Sequence, residues 1–97
     1  YLFTNKKSYA LKVKGESMID AGINDGDWVI IEESKKFYKS KVHVILIDNQ
    51  DVTLKYIEKM NSGEIKLIPA NKVYKETIYP VERISIQGYV VGQVRIY

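Results

Sequence analysis

Apolar and polar positions alternate along most of this chain, and each alternating run predicts a strand. Tyr9, Leu11 and Val13 alternate with Ala10, Lys12 and Lys14, which gives a strand with one wet face. "SMIDAGI" breaks the alternation and permits a single helical turn. "NDGD" then supplies turn chemistry, with Gly26 free to take a positive φ. "WVIIE" reads as a second strand, buried on both faces or nearly so. "ESKKFYKSK" is a polar loop, "VHVILI" a third strand, "DNQD" a hairpin turn and "VTLKYIEK" a fourth strand. "MNSGE" is another hairpin turn with Gly63 as its hinge. "IKLIP" is a fifth strand, closed by Pro69. "ANKVYKETIYP" is mostly irregular, with a short strand near Thr77 to Tyr79. "RISIQGYVVGQVRIY" is a long final strand that Gly88 and Gly92 interrupt, which predicts bulges or a bend. Strands this short and closely spaced indicate a mostly β, single compact domain with a highly curved sheet and at most one or two short helical turns.

Composition narrows the classes. The chain has 97 residues, enough for one domain over 1–97, and 45% hydrophobic content with eight tyrosines fills one modest core. Mean hydropathy is −0.23 and no long apolar run occurs, so no membrane span is expected. There is no cysteine, which removes a disulfide framework and a thiolate zinc site and fits a reducing cytoplasm. No residue pattern points to a cofactor or a metal. The opening "YLFTNKK" has neither an initiator methionine nor a signal-peptide pattern, so the chain is expected to be the C-terminal piece of a longer protein.

Net charge is +3, and lysines gather in "NKK", "KVK" and "SKKFYKSK". The last of these mixes Lys35, Lys36, Lys39 and Lys41 with Phe37 and Tyr38, as a phosphate-binding patch does. A solvated loop between strands accounts for it better. Arg83 and Arg95 are the only arginines, and base readers favour arginine.

The candidate chemistry starts at "KGESM". Ser17 stands where an alternating run stops, directly after Gly15 and Glu16. If it is a nucleophile it needs a base. The single histidine, His43, alternates with Val42 and Val44, and a lone strand histidine is usually structural. Lys55 is better placed, in the middle of "VTLKYI". A lysine there must snorkel, find a partner or lose its proton, and burial favours the neutral amine. A neutral lysine can take the proton of a serine hydroxyl. The period of two puts Thr53 on the same face as Lys55, where its hydroxyl can hold the amine toward Ser17.

Taken together, "GESM", the lysine of "VTLK", "IKLIPANKVYKETIY" and "ISIQGYVVGQVR", in that order, resemble the LexA-type self-cleaving peptidases. That family takes in SOS repressors, phage repressors and UmuD-like subunits of translesion polymerases. The resemblance covers nearly the whole chain. Ala70 stands where the family often has an acid or methionine. Signal peptidase I shares the G-x-S-M element, but its proline-threonine pair is replaced here by Ile19, Asp20, Ala21 and Gly22.

The resemblance implies a β-clip architecture and a Ser-Lys dyad of Ser17 as nucleophile and Lys55 as general base. It also implies an oxyanion hole from the Ser17 and Met18 backbone amides and no cofactor. It implies cleavage of the protein's own small-residue bond, typically Ala-Gly, in a loop further upstream than the segment before Ser17 reaches. The implied partners are a RecA–single-stranded DNA filament as coprotease, operator DNA bound through an N-terminal domain, and a second copy of the chain. A UmuD-like subunit, or a dimerisation module of a helix-turn-helix regulator that no longer cleaves, are the alternatives. The dimer is also expected from the final strand, which is apolar on both sides. As the last element it is expected at a sheet edge, open to a partner.

Overall fold

The computed structural model describes residues 7–97. Lys6 and Asn5 of the basic "NKK" group lie outside the described residues. Seven strands follow one another along the described chain: β1 (Ser8–Lys12), β2 (Trp28–Glu33), β3 (His43–Ile47), β4 (Asp51–Lys59), β5 (Ile65–Ile68), β6 (Thr77–Tyr79) and β7 (Ile84–Val94). Single 3-10 turns span Ile19–Ala21 and Val81–Arg83, and no α-helix occurs among the described residues. Each run of alternation therefore became a strand, and "SMIDAGI" became one helical turn.

Every ladder is antiparallel, in the order β1-β2-β7-β3-β4-β5-β6. β7 thus lies in the middle, bonded to β2 on one side and β3 on the other, and not at an edge as its place in the chain suggested. The reason is physical. Without β7, the β1–β2 and β3–β4 pairs would leave β2 and β3 with unpaired edges facing each other, and a long strand apolar on both sides buries most by closing the gap between them. The strand does so as far as Val90, since Ile84 and Ile86 pack on one core and Val90 on the other. Val91, Val94 and Ile96, further on, stay exposed.

Two glycines of β7 mark its irregularities, as expected. Opposite β2 the register skips Val91 between Val90 and Gly92, and opposite β3 it skips Gln87 between Ile86 and Gly88. These are two bulges on one strand, and bulges bend a strand and increase its twist. At Gly88 a side chain has no room. A Cβ there would lie 2.5 Å from the Glu32 carbonyl oxygen and 2.7 Å from Ile31 Cγ2. Gly88→Ala is expected to lose about 1–3 kcal/mol or more, because the crowding atoms belong to the central ladder. That is a fall in melting temperature of roughly 4–8 °C per kcal/mol for a domain this small. An unchanged thermal unfolding curve would show that the ladder yields without cost.

The hairpin turns follow their residues. Asp48 and Asn49 both take left-handed φ between β3 and β4, a conformation these two side chains tolerate. Arg83 reinforces this turn, with Nε and Nη2 donating to the Asp48 carboxylate at 2.8 and 2.5 Å. Gly63, at φ 91, serves the β4–β5 turn.

The core has two parts. Val13, Met18, Ile23, Val29, Ile31, Val44 and Leu54 make the first. Ile45, Ile57, Ile65 and Leu67 make the second. Burying each such side chain contributes roughly 1.5–3 kcal/mol. β3 supplies both, with Val44 on one face and Ile45 on the other. β4 changes sides along its length: Asp51 to Lys55 pair with β3, and Tyr56 to Lys59 with β5. Lys55 is the last residue before that handover.

Candidate active site

The loop from β1 to β2 carries Ser17. The chain leaves β1, turns at Gly15 (φ 87) and drives Met18 into the first core, where it is only 2% exposed. A buried methionine next door fixes the serine at the surface of the turn. The Gly15 amide donates to Asp25 Oδ1 at 2.7 Å, which ties the two limbs of the loop together. The short 3-10 turn then ends at Gly22, whose left-handed φ of 82 lets the chain reverse.

A third segment holds this turn from outside. The Ala70 amide donates to the Ser17 carbonyl at 2.8 Å, the Asp20 amide donates to the Ala70 carbonyl at 2.7 Å, and Asn71 Nδ2 donates to the Glu16 carbonyl at 2.7 Å. The sequence pattern alone gives Asn71 no part. Its signal was an amide side chain directly after the end of β5, where an irregular segment begins. With the Ser17 carbonyl bonded to Ala70 and the Glu16 carbonyl to Asn71, the turn's amides remain. Among the described residues, neither the Ser17 nor the Met18 N–H donates to a protein acceptor.

Lys55 reaches the serine from β4. Its Nζ lies 3.2 Å from Ser17 Oγ and 2.5 Å from Thr53 Oγ1. Strand periodicity places Thr53 and Lys55 on one face, and the hydroxyl bonds the amine there. No carboxylate forms an ion pair with Lys55 among the described residues. Burial without a counter-charge pushes the Lys55 pKa below the ordinary lysine value of 10.5.

His43 is engaged elsewhere. It is fully buried. Its Nε2 accepts the Tyr38 N–H at 3.1 Å and its Nδ1 donates to the Lys41 carbonyl at 2.9 Å. Those two bonds specify the neutral tautomer, and neither nitrogen is left for Ser17. Burial lowers its pKa, against a smaller opposite effect of the Lys41 carbonyl. The aromatics of the basic loop are also used internally, Phe37 stacked on His43 and Tyr38 packed against Tyr89. Both rings are half-buried in these contacts.

A cleft of about 310 Å³ opens beside Ser17. Leu11, Val13, Met18, Val52 and Leu54 give it apolar walls, and Lys12 and Lys14 line it as well. One wall is β1, which is an edge strand. No group of three or more His, Cys, Asp or Glu side chains among the described residues could hold a metal ion. No helix among them is long and apolar enough to cross a membrane.

Known proteins resemble this chain in sequence. The family model described as "Peptidase S24-like" matches residues 1–91. The LexA repressor of Zymomonas mobilis is 45% identical over 89 residues, covering 92% of this chain and 41% of that protein. The LexA repressor of Gluconacetobacter diazotrophicus is 46% identical over 96 residues, covering 99% of this chain and 38% of that protein. That of Granulibacter bethesdensis is 43% identical over 93 residues, with 96% and 38% covered. The chain thus spans about two fifths of the length of these relatives. With a family match over nearly its whole length, on a mostly antiparallel sheet, this chain belongs to the peptidase S24-like family.

Proposed function

We propose that this chain is the C-terminal peptidase and dimerisation domain of a LexA-type repressor that inactivates itself by Ser-Lys cleavage of its own backbone. The observation that carries the reading is the 3.2 Å approach of Lys55 Nζ to Ser17 Oγ, with burial favouring the neutral amine. In the reaction, neutral Lys55 takes the Ser17 hydroxyl proton as Oγ attacks the scissile carbonyl. The Ser17 and Met18 amides stabilise the oxyanion, and their lack of protein acceptors supports that role. The lysine ammonium then gives its proton to the leaving amine. Water, deprotonated by Lys55, hydrolyses the acyl-serine. Thr53 holds the amine in line by its 2.5 Å bond.

The substrate segment is a small-residue bond, Ala-Gly in type, lying extended along the open edge of β1 in the apolar cleft. Likeness to LexA repressors extends the reading to operator DNA through an N-terminal region and to a RecA–DNA filament. The filament would act by favouring the cleavable conformation. Location in the cytoplasm and a role in the DNA-damage response come with it. Dimerisation is supported by apolar surface that the domain leaves open, with Trp28 and Val94 paired across the β2–β7 ladder and Ile96 beyond them.

The test is incubation of the purified full-length protein at alkaline pH with no other protein present. Two fragments should appear, cut once upstream of this domain, at a rate independent of protein concentration. A chain that stays intact, with the domain folded, would overturn the reading.

A further inference from the structure

Asp27 is buried to 2% exposure and its carboxylate is gripped from the end of the chain. Arg95 Nε donates to Oδ1 at 2.8 Å and Nη2 to Oδ2 at 2.9 Å, a bidentate pair. Gln93 Nε2 donates to the same carboxylate at 3.1 Å, and the Asn24 amide to Oδ2 at 2.8 Å. The tail also reaches the turn that follows Ser17. Gln93 Nε2 donates to the Gly22 carbonyl at 2.7 Å and Arg95 Nη2 to the same oxygen at 3.1 Å. These two side chains, some seventy residues further along the chain, are the outer fastening of the serine loop.

The path from Gly22 to Ser17 is short and bonded throughout. The Gly22 amide donates to the Ile19 carbonyl, and the Ala21 and Ile23 amides both donate to the Met18 carbonyl. The limbs close at Val13 and Asp27, where the Val13 amide donates to the Asp27 carbonyl and the Gly26 amide to the Val13 carbonyl, each at 2.8 Å. The Met18 carbonyl, one peptide unit beyond the Met18 N–H, is therefore held by a turn whose far end the tail grips. An ion pair with a buried carboxylate and a half-exposed guanidinium is weak evidence for stability alone. Its advantage is direction. Two parallel hydrogen bonds fix one geometry of the loop.

We infer that Arg95 and Gln93 are positioning residues for Ser17, the end of the chain acting as a latch that holds the nucleophile turn in its reactive geometry. The inference rests on the Ser17–Lys55 reading. Neither residue touches Ser17 or Lys55, so the latch acts on how the serine is presented and leaves the lysine's proton affinity alone. Arg95 is 38% exposed at its side chain, so a small cation can enter the place its guanidinium vacates.

The experiment uses the full-length protein and two readouts: self-cleavage against pH, and labelling of Ser17 by a small fluorophosphonate, which needs no cleavage loop. Arg95→Ala should lower the alkaline plateau of both by roughly tenfold to a hundredfold, the effect expected when a reacting group is misplaced by a fraction of an ångström to an ångström. The midpoint of the pH profile should not move. Millimolar guanidinium should restore the rate, whereas equal methylammonium should not. Arg95→Lys should recover little, because an ammonium cannot form the bidentate pair.

A folded Arg95→Ala variant with the wild-type rate would overturn the inference. So would a loss that guanidinium does not restore, since that marks a purely structural part. If Arg95→Ala does not fold, Gln93→Ala carries the test: a lowered plateau with unmoved midpoint supports the latch, and a wild-type rate sinks it. Failure of the wild-type Ser17 to label in folded protein would instead overturn the Ser17–Lys55 reading beneath it.

Discussion

Lys55→Ala and Ser17→Ala are each expected to stop self-cleavage of the full-length protein, with a loss of at least about 10⁴-fold, and to leave the domain folded. Residues that act as one unit in nucleophilic catalysis behave this way, and removing either partner costs nearly as much as removing both. The double variant should therefore be no slower than the worse single one. Lys55→Arg should fail as completely as Lys55→Ala, because a guanidinium does not give up its proton at any working pH. Thr53→Val removes the 2.5 Å bond to the amine and keeps the volume. It should slow cleavage without abolishing it.

Stability separates these losses from unfolding, and here the sign matters. The Lys55 pKa is lower in the folded chain than its ordinary value, so between the two the unfolded state binds more protons. Stability then rises with pH through that window, and below it the buried ammonium is a liability. Lys55→Met, which takes the charge away, is expected to unfold no earlier than the wild type at neutral pH. Fragments at an undiminished rate in either alanine variant would dispose of the dyad. A Lys55→Met protein that melts well below the wild type would show that the amine is part of the fold.

Much of this arrangement is legible in the sequence. Strands announce themselves by a period of two, and turns by Gly63 and by Asp48-Asn49, because both signals are local. The Thr53–Lys55 contact was legible for the same reason, being two residues of one strand face. The place of β7 was not. Which strand closes a ladder depends on which edges the others leave open, and no local pattern encodes that. Its two bulges were foreseen from Gly88 and Gly92, its neighbours were not. Burial of Glu32 was also hidden. It sits in a run that reads as strand, and its carboxylate accepts the Tyr89 hydroxyl hydrogen bond from the facing strand. Asp27 and Arg95 were hidden by distance: "NDGD" reads as a turn, and a turn aspartate ordinarily faces water. Only the tertiary fold brings the last arginine onto it. Asn71 was the near miss, since its stretch was recognised and its bond to the serine turn was not.

The pH profile of self-cleavage tests the base directly. With no other protein present, the rate should rise tenfold per pH unit while Lys55 is mostly protonated and level off once the amine is neutral. Its midpoint should fall below 10.5, because burial without a counter-charge favours the neutral amine in the folded chain. The alternative base makes a different curve. A histidine would carry the rise near its own ordinary range of about 6.5. His43 is itself shifted downward by burial, so its rise would come lower still. Its ring is moreover spoken for: the neutral tautomer accepts the Tyr38 amide and donates to the Lys41 carbonyl, and protonation would break the first of these bonds. His43→Gln is therefore expected to cost stability while leaving the midpoint of cleavage where it is. A profile flat from pH 6 to 10 would argue against any lysine base, since a group that must lose a proton to act cannot be indifferent to its supply. A rise that begins below neutrality and disappears in His43→Gln would move the base from β4 to β3, and with it the whole assignment of the site.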